Sequence, residues 1–68
     1  MTSSEFADKI KQRRKALKIT QNDLYELSGI SVATISAVEN AHIDPSLGTM
    51  ARLCDVLGLE ITVKAKGA

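Results

Sequence analysis

Apolar residues in the first 58 positions recur three or four residues apart, the spacing of amphipathic helices. Four segments carry this pattern, and each starts at or just after a Ser or Thr that can cap a helix. The predicted helices run from about residue 3 to 17, 21 to 28, 31 to 40 and 46 to 57. Gly29 and Gly58 follow the second and the fourth, where glycine takes the left-handed conformation that ends a helix.

The final segment has a different period. In LEITVKAK, residues 59–66, apolar and polar residues alternate as in a β-strand, and Leu59, Ile61 and Val63 share one face. The chain has no second segment of this kind, so the simplest partner is the same strand of another copy across a two-fold axis. We therefore predict a helical domain at 1–58 and a dimerisation strand and tail at 59–68. A frayed tail that alternates by chance is the other interpretation.

Composition limits the chain to one small domain. With 68 residues, 44% of them hydrophobic and only two aromatic, the core has to be aliphatic. No apolar run reaches the roughly 20 residues of a membrane span and no leader pattern is present, so we expect a cytoplasmic, nucleoid-associated protein without a membrane partner. One cysteine, Cys54, and one histidine, His42, favour neither a disulfide nor a metal site, and no cofactor is expected.

The net charge of +1 conceals a basic cluster within ten positions. Its members are Lys9, Lys11, Arg13, Arg14, Lys15 and Lys18. Such a cluster is either a solvated helix face or a surface that binds a polyanion.

The second and third predicted helices, joined by a tight glycine turn, have the arrangement of a helix-turn-helix unit, whose second helix lies in the major groove of DNA. The stretch RRKALKITQNDLYELSGISVATISAVEN, with DPSLGTMARLCDVLGL after it, resembles the Cro and phage-repressor (XRE-like) type of helix-turn-helix regulator over about residues 5 to 59. The trailing strand resembles the HipB-like antitoxin or autorepressor branch. The resemblance implies an all-α, four-to-five-helix, lambda-repressor-like domain whose short C-terminal strand pairs across a dimer.

The resemblance also implies roles for individual residues. Those expected to face base edges are Ser31, Val32, Ala33, Ser36 and Ala37. Those expected near DNA phosphates are Thr20, Gln21, Thr34 and Asn40. The basic cluster, independently of the resemblance, adds Lys9, Arg13 or Lys15 as phosphate contacts. Arg14 and Glu39 match a pair that links the first helix to the end of the recognition helix, and we expect it to be structural because a carboxylate would occupy the arginine fork. For Thr20, helix capping alone is an equal alternative.

The expected recognition helix carries few hydrogen-bonding groups. It has no Arg, Lys, Asn or Gln before Asn40, so it cannot make the bidentate base contacts that discriminate best. Its apolar side chains can pack on thymine methyl groups, and Ser31 and Ser36 can bond to either kind of base. Specificity is then expected mainly from dimer spacing and DNA shape. The alternative is that these small residues face another protein.

Three departures from the family pattern change the expectations. Tyr25 occupies a position where a small residue is common, so it must tilt outward or loosen the helix crossing. Lys18 stands where glycine is frequent, which predicts a positive φ. Ala41, His42 and Ile43 replace the usual glycine and basic residue after Asn40, so a usual phosphate contact is lost.

The function expected from these observations is a homodimeric transcriptional repressor on a pseudo-palindromic operator. A toxin encoded beside the gene is a further candidate partner. The alternative is a protein–protein adaptor that keeps the fold but has lost specific DNA binding. We do not expect an enzyme, because Cys54 lies on the core stripe of its helix and no histidine is placed to activate it.

Overall fold

The computed structural model describes residues 1–67, in which four α-helices follow one another. They are α1 (Ser3–Ala16), α2 (Gln21–Ser28), α3 (Val32–Glu39) and α4 (Leu47–Leu57). Each bound lies within one residue of the predicted one, and the helical part of the predicted fold is confirmed. Within residues 1–67, no helix combines the length and the apolar character that a membrane span requires.

Each of the four helices begins directly after a Ser or Thr whose hydroxyl group caps it. Thr2, Thr20, Ser31 and Ser46 each accept a hydrogen bond from the backbone N–H three residues later, at 3.0 to 3.2 Å. In α1 and α2 the acidic residue at that third position also accepts from the backbone of the cap residue. Since each such cap stabilises a helix by about 1 kcal/mol, the caps fix where these short helices begin.

One contiguous aliphatic core joins the four helices. Its buried members are Phe6, Ile10, Leu24, Ile35, Val38, Leu53, Cys54 and Leu57. Within it α3 packs against both α1 and α2, and α4 packs against those same two helices. The arrangement covers one side of α3 and leaves its other side open to solvent.

The C-terminal end of α4 is closed by the residue expected to begin the dimer strand. Gly58 is left-handed, with φ 71°, and the backbone N–H of Leu59 donates to the carbonyl of Cys54 at 2.8 Å. This bond is typical of a Schellman motif, and the side chain of Leu59 packs against the core. The side chain of Leu59 is therefore partly covered by its own domain.

No β-strand is assigned anywhere in residues 1–67. Residues 60–67 are neither helix nor strand, and Ile61 and Val63 are 43% and 94% exposed. A strand needs a neighbour for its backbone hydrogen bonds, and the expected neighbour belongs to a second copy. Strand pairing across a dimer therefore stays a prediction, and Ile61 and Val63 are the exposed apolar side chains that it would bury.

Two residues that depart from the family pattern adopt the expected geometry. Lys18 has a φ of 58°, as its place in a usually glycine-containing turn predicted. Tyr25 turns outward and is 45% exposed, so the side chain leaves the crossing of α2 and α3 instead of filling it.

A second positive φ was not anticipated, at Ala41, where φ is 55°. The next backbone N–H, of His42, donates to the carbonyl of Ala37 at 2.9 Å, which is again a Schellman-type closure. Ala41 thus ends α3 in the left-handed conformation for which glycine is best suited. The sequence pattern predicts only a lost phosphate contact from the missing glycine, whereas in the structure this position ends the helix.

A buried ion pair lies where α1, α2 and α3 meet. Glu39 is only 3% exposed, and Arg14 donates to its carboxylate through Nε at 2.7 Å and Nη2 at 2.9 Å. Nη1 of the same guanidinium donates to the carbonyl of Ile19 at 3.0 Å, in the α1–α2 connection. Gln21 Nε2 donates to Glu39 Oε1 at 3.2 Å. The carboxylate therefore connects three helices and the turn between two of them.

The carboxylate of Glu39 is ionised because its partners outweigh its burial. Burial is the largest single influence and by itself raises the pKa of Glu39. The hydrogen bonds from Arg14 and Gln21, with the charges of Arg14 and Lys11, together bring that pKa below its ordinary value. The hydrogen bond with Glu39 raises the pKa of Arg14 in turn. Both groups are therefore charged at neutral pH, and each stabilises the charged form of the other.

The substitution Arg14→Met is expected to lower the free energy of unfolding by about 3 kcal/mol, because it leaves a buried carboxylate without its main partner. Urea denaturation followed by circular dichroism measures the loss. The double variant Arg14→Met with Glu39→Leu is the control, and it should recover most of the stability since apolar packing can replace a buried pair. A single variant as stable as the wild type would contradict the assigned role of this pair.

The substitution Ala41→Gly is expected to raise the free energy of unfolding by roughly 0.5 kcal/mol or more, because glycine carries no penalty at positive φ. Ala51→Gly, at an exposed position inside α4, is the matched control and should cost about 1 kcal/mol. Thermal denaturation of both variants makes the comparison. If both substitutions destabilise equally, Ala41 does not adopt the left-handed conformation.

Candidate nucleic-acid interface

The turn between α2 and α3 is fixed by a buried serine. Ser28 Oγ donates to the carbonyl of Leu24 at 2.6 Å and accepts the backbone N–H of Ile30 at 3.0 Å. Gly29 between them is left-handed, with φ 75°, and Ile30 packs against the core. The turn therefore holds α3 at one orientation relative to α2. Sequence reasoning missed Ser28, although a serine before glycine at the end of a helix was the available signal.

The helix α3 has a buried side and an open side. Ile35 and Val38 are in the core, whereas four of the five residues expected to face bases lie on the opposite side, exposed or partly exposed. We call these four the recognition face: Val32, Ala33, Ser36 and Ala37. They form two adjacent i, i+4 pairs, so together they make one continuous surface.

The fifth residue, Ser31, is exposed, but its hydroxyl group forms hydrogen bonds within its own helix. Its Oγ accepts the backbone N–H of Thr34 at 3.2 Å and lies 2.9 Å from the hydroxyl oxygen of Thr34. Ser31 is therefore the N-cap of α3 and shares its hydroxyl with Thr34, which is half-buried beside it. This coupling leaves Ser31 less free to contact a base than its position in the sequence indicated.

The side chain of Asn40, at the end of α3, folds back onto that helix. Its Nδ2 donates to the carbonyl of Ser36 at 2.9 Å and to Ser36 Oγ at 3.3 Å. The structure thus joins a residue expected near phosphate to a member of the recognition face, and that link was not predicted.

The N-terminus of α2 opens next to these groups. Thr20 caps it by accepting the N–H of Asp23 at 3.0 Å, so capping accounts for this hydroxyl. The first amides of the helix, those of Gln21 and Asn22, face no helical carbonyl, and such amides favour an anion. The side chain of Gln21 is half-buried and bonds to Glu39, so the anion-binding capacity here lies in the backbone.

The basic residues of α1 divide between two sides of the helix. At about 100° per residue, Lys11 and Lys15 both lie on one side of Arg14, and the charge of Lys11 acts on Glu39. Lys9 and Arg13 lie on the other side: Lys9 lines a groove with α4 residues, and Arg13 Nε donates to the carbonyl of Leu57 at 2.8 Å. The three basic residues expected near phosphate are therefore not brought together.

The residues that could carry catalytic chemistry are few. Cys54 is buried and its burial raises the pKa of the thiol, which favours the unreactive protonated form. Across residues 1–67, no group of three His, Cys, Asp or Glu side chains could hold a metal ion. The open surface of the α2–turn–α3 unit remains the feature best suited to a function.

Comparison with known proteins agrees with this geometry. A family model described as helix-turn-helix matches residues 10–64, which include the α2–turn–α3 unit and α4. No curated protein and no solved structure matches the chain. Because the family match covers most of the sequence, the chain belongs to the helix-turn-helix family of DNA-binding regulators of the Cro and phage-repressor type.

Proposed function

We propose that the protein is a homodimeric transcriptional repressor that binds a pseudo-palindromic operator upstream of its own gene. The observation that carries this proposal is the recognition face, an open surface of small side chains on a helix whose other side is locked into the core. Small side chains let a helix enter the major groove closely, with apolar and hydroxyl groups against base edges.

Phosphate contacts supply most of the affinity in this proposal. The backbone amides at the start of α2 bind one phosphate, and Lys15 binds another from the adjacent side of α1. The side chains of Gln21, Asn40 and Arg13 are engaged within the protein, which favours backbone amides and Lys15 over them as contacts. Thr34 keeps a smaller role near the duplex, whereas Lys9 lies on the other side of α1.

A dimer is part of the proposal because one recognition face offers too few polar groups to select a site alone. Two copies related by a two-fold axis read half-sites about 34 Å apart. Pairing of the C-terminal segments through Ile61 and Val63 would hold that spacing, and the exposure of both side chains supports it.

A toxin is a second candidate partner, since the C-terminal segment resembles the HipB-like branch. It would bind away from the recognition face. Leu27 and Leu47 are large exposed apolar side chains outside that face, so they are where such a contact should be sought.

The substitution Lys15→Glu is expected to weaken binding about tenfold on all duplexes alike, because it reverses the charge of a phosphate contact. Fluorescence anisotropy on the DNA upstream of the gene, at two salt concentrations and with unrelated competitor DNA, measures it. Lys9→Glu is the matched control, an equal charge change on the other side of α1, and should lose far less. Equal losses would contradict the assignment to Lys15, and wild-type protein that fails to bind at low salt would favour the adaptor.

The double substitution Ile61→Asp with Val63→Asp is expected to give monomers that bind the operator without cooperativity, because charges replace the apolar face of the pairing segment. Sedimentation equilibrium measures the oligomeric state. Thr62→Asp with Lys64→Asp places the same side chains on the opposite face and should leave the dimer intact. A dimer that survives the first double substitution would remove the strand-pairing hypothesis.

A further inference from the structure

Ser36 is the one member of the recognition face that can form a hydrogen bond, because the other three, Val32, Ala33 and Ala37, are apolar. A serine hydroxyl both donates and accepts, so by itself it does not distinguish one base from another. Its surroundings in this structure narrow the choice of base.

The amide of Asn40 takes up part of the accepting capacity of Ser36. The carbonyl of Ser36 can only accept, so the Asn40 atom that lies 2.9 Å from it has to be the donor Nδ2. The same Nδ2 lies 3.3 Å from Ser36 Oγ and therefore donates to it as well. One of the two lone pairs of the hydroxyl oxygen is therefore taken by the protein, and the proton remains available.

That proton has no acceptor among residues 1–67. Ser28 provides the contrast, because its hydroxyl donates to the carbonyl four residues earlier at 2.6 Å. Ser36 is equally helical but takes part only as an acceptor, from Asn40. Its O–H is therefore a free donor on the open side of α3.

The groups around this donor point to one kind of base edge. Val32 lies one turn before Ser36 on the same stripe, and Ala33 and Ala37 lie on the adjacent stripe. In the major groove an acceptor stands beside a methyl group only on thymine, which presents O4 and the 5-methyl group. Guanine and adenine present acceptors without a methyl group, and cytosine presents an N4 donor, which cannot accept the Ser36 proton, and also lacks a methyl group.

We propose that Ser36, oriented by Asn40, donates to O4 of a thymine in each half-site while the neighbouring apolar side chains pack on its 5-methyl group. Ser36 is the specificity-determining residue and Asn40 is a positioning residue that acts through it. This inference rests on the proposed function, since it assigns a base to the surface that is proposed to bind DNA.

The test uses a duplex that the wild-type protein retains from a randomised pool, with each thymine replaced in turn by two analogues. Deoxyuridine keeps O4 but lacks the methyl group, and it should weaken binding about fourfold at the contacted thymine. 5-Methyldeoxycytidine paired with guanine keeps the methyl group but replaces O4 with a donor. It should weaken binding about tenfold at the same position.

Two variants separate the proposed roles. Ser36→Ala should lose the discrimination between thymine and 5-methylcytosine and keep the sensitivity to deoxyuridine. Asn40→Asp should also reduce the discrimination, because a carboxylate accepts the Ser36 proton and turns it away from the base. Asn22→Asp is the matched control, an equal charge change at an exposed position on α2, and should weaken binding to all duplexes without changing the ratio.

Each of the remaining results contradicts one part of the proposal. Wild-type protein that binds with no preference between thymine and 5-methylcytosine at any position overturns the thymine contact and leaves the DNA-binding proposal standing. A ratio that falls as far in Asn22→Asp as in Asn40→Asp overturns the positioning role of Asn40. Failure of the wild-type protein to retain any duplex removes both the proposed function and this inference.

Discussion

The buried carboxylate of Glu39 is the group on which the rest of the arrangement depends. An unpaired charge in a core costs several kcal/mol, which is comparable with the whole stability of a small domain. Arg14 and Gln21 bind this carboxylate from two other helices, so it stays ionised only while α1, α2 and α3 are correctly assembled. The polar network therefore links the stability of the fold to the position of the helix that carries the recognition face.

The two ends of that helix are held by different means, and together they fix its surface. Ser28 and the left-handed Gly29 determine how the chain enters α3, and the pairing of Glu39 with Arg14 determines where it ends. An eight-residue helix has little stability of its own, so its orientation has to come from such tertiary contacts. The recognition face is small and chemically plain, but it is presented by a rigid support.

Local features of this protein could be predicted from residue patterns, whereas among the contacts between distant parts of the chain only the Arg14–Glu39 pair was expected, and that expectation came from the family resemblance. Hydroxyl caps and glycines act within a few residues, which is why the helix bounds and the positive φ of Lys18 were predictable. The partners of Gln21 and Arg13 lie 18 and 44 residues away, and no local pattern chooses them among the available carboxylates and carbonyls. Alternation at 59–66 likewise identifies an apolar face, but the partner that would cover it belongs to another molecule.

The side chains of Gln21 and Asn40 form hydrogen bonds to other groups of the same protein. Because a domain with a small core uses these side chains for its own hydrogen bonds, fewer polar side chains remain to contact DNA. Each lost contact weakens a single half-site, and the proposed dimer compensates because the second domain binds at a high effective concentration once the first is bound. In that proposal a sparse recognition face is an advantage for regulation, since occupancy of the operator would depend on assembly of the dimer more than on either domain alone.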